Sequence, residues 1–230
     1  MPISLILLDA DDTLWHNMRH FDAAERAFAE LIASFADAGI ARATLARVEE
    51  RNLGRYGYGA KSFTLSMIEA AVEIGGDALP AASVRAILDV GRDLLDHPVE
   101  LLDGIDDTIE ALADLGDLVL LTKGDLLHQE MKLAASGLGR HFAAVEIVSD
   151  KTVDTFRRLF DRRGIDPADA IMAGDSLRSD VLPALEAGAW AAFVPQPLAW
   201  SHEQAAEPAG HPRYRRLSAL SDLPALVAAL

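Results

Sequence analysis

The spacing of apolar residues divides the chain into a short first strand, a long helical stretch and an alternation of strands and helices. The apolar run over residues 3–8 predicts a short buried strand. Residues 20–100 contain no convincing strand pattern, and their apolar positions recur at helical spacing between glycine and proline breaks. The predicted helices cover residues 20–37, 41–54, 63–75 and 81–96. This stretch is therefore predicted to be an all-helical insert.

From about residue 102, apolar runs alternate with amphipathic segments. The runs predict strands over residues 117–122, 142–148, 170–174 and 189–194. Strands that alternate with helices are typical of βαβ units and of a parallel sheet. Residues 195–212 are predicted to form an irregular loop, and residues 217–230 a strand or turn followed by a short helix.

The pattern as a whole predicts an α/β fold, a Rossmann-like parallel sheet flanked by helices, with an inserted all-helical domain. The predicted core domain comprises residues 1–14 and 102–230, and the predicted insert comprises residues 15–101. Because the insert follows the first strand, we expect it to lie beside the carboxyl end of that strand. A domain in that place would exclude water from a site and gate access to it.

Composition narrows the classes of function. The 230 residues carry a formal net charge of −15, which argues against a nucleic-acid surface because such surfaces are basic. The chain has no cysteine, which excludes disulfides and thiolate chemistry. No apolar stretch approaches the ~20 residues of a membrane span. We therefore expect a cytoplasmic protein without nucleic-acid or membrane partners.

Chemistry-bearing side chains follow the predicted strands, at the point where each strand ends. Asp9-Ala10-Asp11-Asp12-Thr13 follows the first strand. Thr122, Lys151 and the segment 174–180 (Gly-Asp-Ser-Leu-Arg-Ser-Asp) come at the ends of later strands. The carboxyl ends of parallel strands meet at one edge of a sheet, so these residues should converge. Buried carboxylates in such numbers need a cation or a shared proton.

The four elements, in this order, resemble the motifs of the haloacid dehalogenase-like (HAD) hydrolase superfamily. The resemblance covers essentially the whole chain, and the helical insert is similar to the superfamily's helical cap of the first class. Within the superfamily, Asp-x-Asp-x-Thr is the pattern of phosphatases and phosphotransferases, and residues 9–13 match it. The dehalogenases of the superfamily lack an aspartate at the position of Asp11.

The resemblance implies a role for each acid of the first motif. Asp9 would be the nucleophile that forms an aspartyl-phosphate. Asp11 would be the general acid and base, with its side chain turned away from the metal and its backbone carbonyl as a ligand. Asp12 is interpreted as a turn or helix-capping acid, and Thr13 as a structural residue of the loop.

The same resemblance implies a magnesium site. Asp9, Asp11 and Asp175 would bind Mg²⁺, and Asp180 would complete or orient the ligand shell. The alternative for Asp180 is a helix-capping role near Pro183.

Phosphate would be bound by residues of the second and third motifs. Thr122 would donate its hydroxyl to a phosphate oxygen, and Lys151 would contact both the nucleophile and the phosphate. Where the superfamily often has Asn-Gly after the threonine, this chain has Lys123-Gly124. Lys123 and Gly124 are therefore candidate substrate-binding residues, and a solvated loop lysine is the alternative for Lys123.

Residues of the insert are the candidates for substrate selection. His16 and Arg19 follow the first motif, and Tyr56, Tyr58 and Lys61 lie in a bend rich in glycine and aromatic residues. The alternative is a helix corner whose tyrosines pack on the insert itself.

The predicted function is Mg²⁺-dependent hydrolysis of a small-molecule phosphate monoester, the substrate being a small phosphorylated metabolite. The alternatives are a phosphotransferase or phosphomutase that uses the same intermediate, and a haloacid dehalogenase. The expected state is a monomer or a homodimer.

Overall fold

The structure is a computed structural model and describes residues 2–198 and 200–230. The chain separates into two compact units. The α/β unit contains the residues up to Met18, Val99–Lys123 and Gln129–Leu230, and the helical unit contains Arg19–Pro98 and Gly124–His128. None of the helices in these described residues combines the length and apolar character needed to cross a membrane.

The α/β unit is built on a six-stranded sheet in which every pairing is parallel. The strands run in the spatial order β3-β2-β1-β4-β5-β6. Their bounds are β1 Leu5–Leu8, β2 Asp117–Lys123, β3 Ala144–Val148, β4 Ala170–Gly174, β5 Trp190–Phe193 and β6 Tyr214–Arg216. This arrangement confirms the predicted Rossmann-like parallel sheet.

The chain reverses its direction of strand addition at β1. From β1 it moves outward through β2 and β3, and it then returns to place β4 on the other side of β1. Leu8, the last residue of β1, pairs with Leu120 on one side and with Ala173 on the other. Ligands of open α/β sheets bind outside the carboxyl ends of the strands at such a reversal.

Alternate residues of β1 face opposite layers, as the two-residue period of a strand requires. Ile6 and Leu8 pack in one buried cluster, which includes Ile109. Leu5 and Leu7 pack in the other, which includes Phe156. β1 is buried on both faces, which explains why its sequence is an uninterrupted apolar run.

The helical unit consists of helices, and other helices pack against the sheet within the α/β unit. The helices are α1 Met18–Leu31, α2 Ala38–Tyr56, α3 Ala60–Gly75, α4 Ala81–Asp96, α5 Ile105–Ala113, α6 Leu126–Ser136, α7 Val153–Arg163, α8 Leu182–Glu186 and α9 Leu223–Ala229. The core of the helical unit includes Phe28, Leu45, Met67 and Ile87. This unit shares residues 19–98 with the predicted insert.

Some predicted boundaries are wrong for identifiable local reasons. The first helix ends at Leu31 instead of residue 37. Residue 37 belongs to the start of the next helix, because the Asp37 side chain accepts from Ile40 N and caps α2. The strand predicted from residue 142 begins at Ala144, after a short 3₁₀ turn over Leu138–His141. Between β4 and β5 the chain forms a π-helical turn over Leu177–Val181, followed by the short helix α8.

The last strand also lies elsewhere than predicted. It covers Tyr214–Arg216, immediately before the segment 217–230 in which a strand or turn was expected. The final helix α9 lies within that segment.

Candidate active site

Three of the candidate site residues lie at the ends of three neighbouring strands. Asp9 directly follows β1, Thr122 is the penultimate residue of β2, and Asp175 directly follows β4. The backbone N–H of Asp9 donates to Ala173 O at 3.0 Å, which extends the pairing of β1 with β4 into the site. The parallel register of these strands therefore brings residues from distant parts of the sequence to one edge.

Lys151 joins two of the acids in a buried cluster. Its Nζ donates to Asp9 Oδ1 and, at 2.6 Å, to Asp180 Oδ1. The other oxygen of Asp9 accepts from Thr13 Oγ1 at 3.0 Å. All four side chains are buried, so their charges interact with little screening by water.

Three carboxylates form a group of the kind that binds a metal. Asp9, Asp175 and Asp180 each present an oxygen within 4.8 Å of the others. Carboxylate oxygens are hard ligands that suit Mg²⁺. Lys151 balances only one of the three negative charges, so a divalent cation would balance the other two. The donor set and its charge therefore fit a magnesium ion.

The pKa values of these acids reflect the crowding of negative charge. Burial raises the pKa of Asp9 to about 7; the charge of Asp180 adds to the rise and Lys151 opposes it. Burial and the charge of Asp9 raise the pKa of Asp175 well above its ordinary value. Burial disfavours the charged form of Lys151, but Asp180 and Asp9 outweigh it and raise the pKa of the ammonium. A bound divalent cation would favour the ionised carboxylates.

The Asp11 side chain has separate partners. Its Oδ1 accepts from Trp15 Nε1 at 2.7 Å and from Lys132 Nζ at 2.5 Å, and its Oδ2 accepts from Gln129 Nε2 at 3.0 Å. Burial opposes ionisation of Asp11, but the Lys132 charge and these hydrogen bonds outweigh it and lower the pKa. Asp11 is therefore held ionised by residues that do not contact the three metal-suited carboxylates.

Gln129 and Lys132, both on α6, were not identified as site residues from the sequence. Besides Asp11, Gln129 Nε2 contacts Thr122 Oγ1 at 2.9 Å and Lys123 O at 2.7 Å. Both side chains are buried, at 3% exposure for Gln129 and 4% for Lys132. A signal was present, because two polar residues three positions apart share a helix face.

Asp12 is a helix-capping residue, in agreement with its interpretation from the sequence. Its Oδ1 accepts from Asn17 N at 2.9 Å and its Oδ2 from Met18 N at 2.8 Å, where α1 begins. Asp12 has a φ of +59°, a left-handed conformation that aspartate tolerates better than most residues. Burial raises its pKa to about 6.

Lys123 is held by Ser179 and by Glu203. Its Nζ donates to Ser179 Oγ at 2.8 Å and forms an ion pair with Glu203. The adjacent Gly124 has a φ of +124°, a backbone conformation that favours glycine. Glu203 was not identified from the sequence, and no local pattern marks it among the residues of an irregular loop.

Two candidate specificity residues are engaged within the helical unit. Tyr56 Oη donates to Glu69 Oε1 at 2.9 Å. Lys61 Nζ donates to Asp125 Oδ1 at 2.8 Å. The Tyr56 contact favours the alternative in which the tyrosines of this bend pack on the insert itself, whereas the partner of Lys61 lies outside the predicted insert.

The other three candidates lie around the start of α1 and in the bend. His16 is half-buried, and its backbone N–H donates to Glu100 O at 3.0 Å. Arg19 Nε contacts His20 Nε2 at 3.4 Å. Tyr58 is half-buried. Their roles in substrate selection remain predictions.

Comparison with known proteins agrees with the architecture and the motifs. The family model of the haloacid dehalogenase-like hydrolases matches residues 3–188. None of the curated proteins matches the chain. A haloacid dehalogenase-like family hydrolase from Xanthomonas campestris has a similar structure with a TM-score of 0.90. It is 38% identical over 99% of this chain and 91% of its own.

More distant structures share the fold. The HAD hydrolase YfnB from Bacillus subtilis, solved with bound magnesium, is 20% identical with a TM-score of 0.68 over 99% of both chains. A 2-haloacid dehalogenase from Pseudomonas syringae is 22% identical with a TM-score of 0.64, again over 99% of both chains. With the family model matching most of its length, this chain belongs to the haloacid dehalogenase-like hydrolases.

Proposed function

We propose that this hydrolase is a magnesium-dependent phosphatase that cleaves a small phosphate monoester through an aspartyl-phosphate on Asp9. The observation that carries the proposal is the separation of the site's acids into two groups. Asp9, Asp175 and Asp180 form the metal-suited group, and Asp11 is held apart from them by its own donors. A nucleophile beside a metal and a separate acid–base residue are what phosphate monoester hydrolysis requires.

In the first step, Asp9 would attack phosphorus while the bond from phosphorus to the alcohol oxygen breaks. Thr13 Oγ1 and Lys151 Nζ hold the Asp9 carboxylate in one orientation. The departing alkoxide needs a proton, and the Asp11–Lys132 pair holds one between Lys132 Nζ and Asp11 Oδ1. Transfer through Asp11 to the alcohol oxygen would complete the step.

In the second step, Asp11 would act as the base. Its ionised carboxylate would take a proton from water, whose oxygen attacks the phosphorus of the aspartyl-phosphate and releases Asp9 and inorganic phosphate. The lowered pKa of Asp11 keeps it in the ionised form that this step needs.

Charge on the phosphate would be offset by groups already in place. The Lys151 ammonium and the Thr122 hydroxyl lie at the same edge of the sheet as Asp9 and would contact phosphate oxygens. When bound by the three carboxylates, Mg²⁺ would supply further positive charge to the phosphate. The magnesium in the crystal structure of YfnB supports this assignment for the shared fold.

A haloacid dehalogenase is the second candidate, because the similar structures include a 2-haloacid dehalogenase. Halide displacement from carbon by Asp9 would need neither a metal nor a proton for the leaving group. The ester that forms on Asp9 would still need a base for its hydrolysis, but a proton donor for the leaving group and the surplus of carboxylates would have no chemical use, which favours the phosphatase.

The test measures hydrolysis of p-nitrophenyl phosphate and of a panel of phosphorylated metabolites, with Mg²⁺ and with EDTA. We expect turnover that depends on Mg²⁺ and is abolished by Asp9→Asn. Asp154→Asn, which changes an acid on the surface of α7, is the matched control and should retain activity. Halide release from 2-chloropropionate in EDTA, without phosphatase activity on the panel, would refute the proposal in favour of the dehalogenase.

A further inference from the structure

The Glu203 carboxylate contacts the last residue of β2 and the segment that follows β4. Its Oε2 accepts from Ser176 Oγ at 2.5 Å and from Ser179 Oγ at 2.6 Å. Its Oε1 accepts from Lys123 Nζ. The side chains of Lys123 and Glu203 are only 13% and 15% exposed, so the pair is largely shielded from water.

The hydrogen bonds of this cluster are mutually consistent only if Glu203 is ionised. Each serine hydroxyl has one proton and donates it to Glu203. Ser176 Oγ in turn accepts from Ser179 N at 2.9 Å, and Ser179 Oγ accepts from Lys123 Nζ at 2.8 Å. Both hydroxyls therefore donate and accept, and a neutral side chain at position 203 would leave this network incomplete.

The two serines belong to the segment that carries two of the three metal-suited carboxylates. Asp175 directly precedes Ser176, and Asp180 directly follows Ser179. Ser176 N also donates to Asp180 Oδ2 at 3.0 Å. The Asp180 carboxylate packs over Gly174 so closely that a Cβ there would lie 2.2 Å from Oδ2. Small movements of this segment would therefore displace the carboxylates.

We propose that Glu203 is a positioning residue for the metal-binding loop. Through Ser176 and Ser179 it holds the backbone that carries Asp175 and Asp180, and through Lys123 it ties that loop to the end of β2. The inference rests on the proposed function in one respect, because it takes the three carboxylates to be the Mg²⁺ ligands. Glu203 thereby becomes part of the site.

The test is Mg²⁺ binding to the full chain, measured by isothermal titration calorimetry, which does not depend on substrate. Glu203→Gln keeps the size of the side chain but replaces one acceptor oxygen with a donor. That donor must face either the serine hydroxyls or the Lys123 ammonium, all of which are donors themselves. Loss of a residue that orients metal ligands typically weakens metal binding roughly 10- to 100-fold, and we expect a loss in that range. Ser179→Ala, which retains the Lys123–Glu203 pair, should show a smaller loss in the same direction.

Glu207→Gln is the matched control. Glu207 lies on the same loop, but its carboxylate contacts Tyr214 Oη and Arg216 Nη1 instead of the metal-binding segment. This variant should bind Mg²⁺ as the wild type does.

Further outcomes separate this inference from the proposed function. If the wild type binds Mg²⁺ and both Glu203→Gln and Ser179→Ala bind it equally well, the positioning role is wrong and the phosphatase proposal stands. If the wild type itself binds no Mg²⁺, the metal assignment fails, and this inference fails with it. In activity assays the expected signature is a higher Mg²⁺ concentration at half-maximal rate, with kcat partly restored at saturating Mg²⁺.

Discussion

Glu49 of α2 is a half-buried acid whose replacement should change the pH dependence of stability. Burial raises the pKa of Glu49 from 4.5 to about 8, and the negative charge of Glu25 adds to the rise. In the unfolded chain the carboxyl would titrate near its ordinary value. The native state therefore holds a proton that the unfolded state has already released over most of the neutral range.

The sign and size of the effect follow from proton linkage. Because the native pKa is raised, the stabilising contribution is fully present below pH 4.5 and is lost as the pH rises toward about 8. Each pH unit in that window lowers the free energy of unfolding by about 1.4 kcal/mol, so the full loss is about 5 kcal/mol. Glutamine is neutral at every pH and removes this loss.

The assay is urea denaturation followed by far-UV circular dichroism at pH 4.5, 6.5 and 8.5. Relative to the wild type, Glu49→Gln should gain stability steadily from the lowest pH to the highest. Glu50→Gln is the matched control, since Glu50 is the next residue of α2 and is exposed, and its stability relative to the wild type should not vary with pH. A constant difference between Glu49→Gln and the wild type at all three pH values would show that the pKa of Glu49 is not raised in the folded protein.

Three further variants test catalysis and packing. Lys132→Met should lower kcat on the best phosphate monoester by roughly 10²-fold or more while changing KM little. The reason is that Asp11 loses its charge partner, and a general acid contributes about 10²–10⁴ to the rate. An unchanged kcat would show that Lys132 has no part in the mechanism. Gly91→Ala should lower the free energy of unfolding by about 1–3 kcal/mol, because its Cβ would lie 2.2 Å from Thr64 Oγ1 and force α3 and α4 apart. In Gly54→Ala, on α2, the added Cβ has nothing within 4 Å, so the free energy of unfolding should rise by about 0.5–1 kcal/mol. Urea titrations in which both variants shift in the same direction would contradict these two predictions.

The strands were the most predictable part of the fold. β1 and β4 are buried on both faces, so their apolar residues form continuous runs that stand out in the sequence. Helix ends were less predictable, because they depend on single hydrogen bonds. Asp37 could cap a helix or lie within one, and only its bond from Ile40 N decides between the two.

The buried face of α6 could not be predicted from the pattern of apolar residues. Leu126, Leu127 and Met131 are exposed, whereas Gln129 and Lys132 are buried. The spacing of apolar residues would predict the opposite, with the leucines and the methionine buried and the polar residues exposed. The buried face is polar because it supplies hydrogen-bond donors to Asp11. The sequence does not reveal this role, because α6 and Asp11 come together only in the folded chain.

The parallel α/β fold and the candidate residues at the strand ends could be predicted from the sequence, because both depend on local patterns and on a general property of parallel sheets. The pairing of particular carboxylate oxygens with particular ammonium groups could not, because it depends on the tertiary structure. The Asp11–Lys132 and Lys123–Glu203 pairs join residues separated by 121 and 80 positions. Such contacts have no local signature, since they arise from the packing of distant segments against one edge of the sheet.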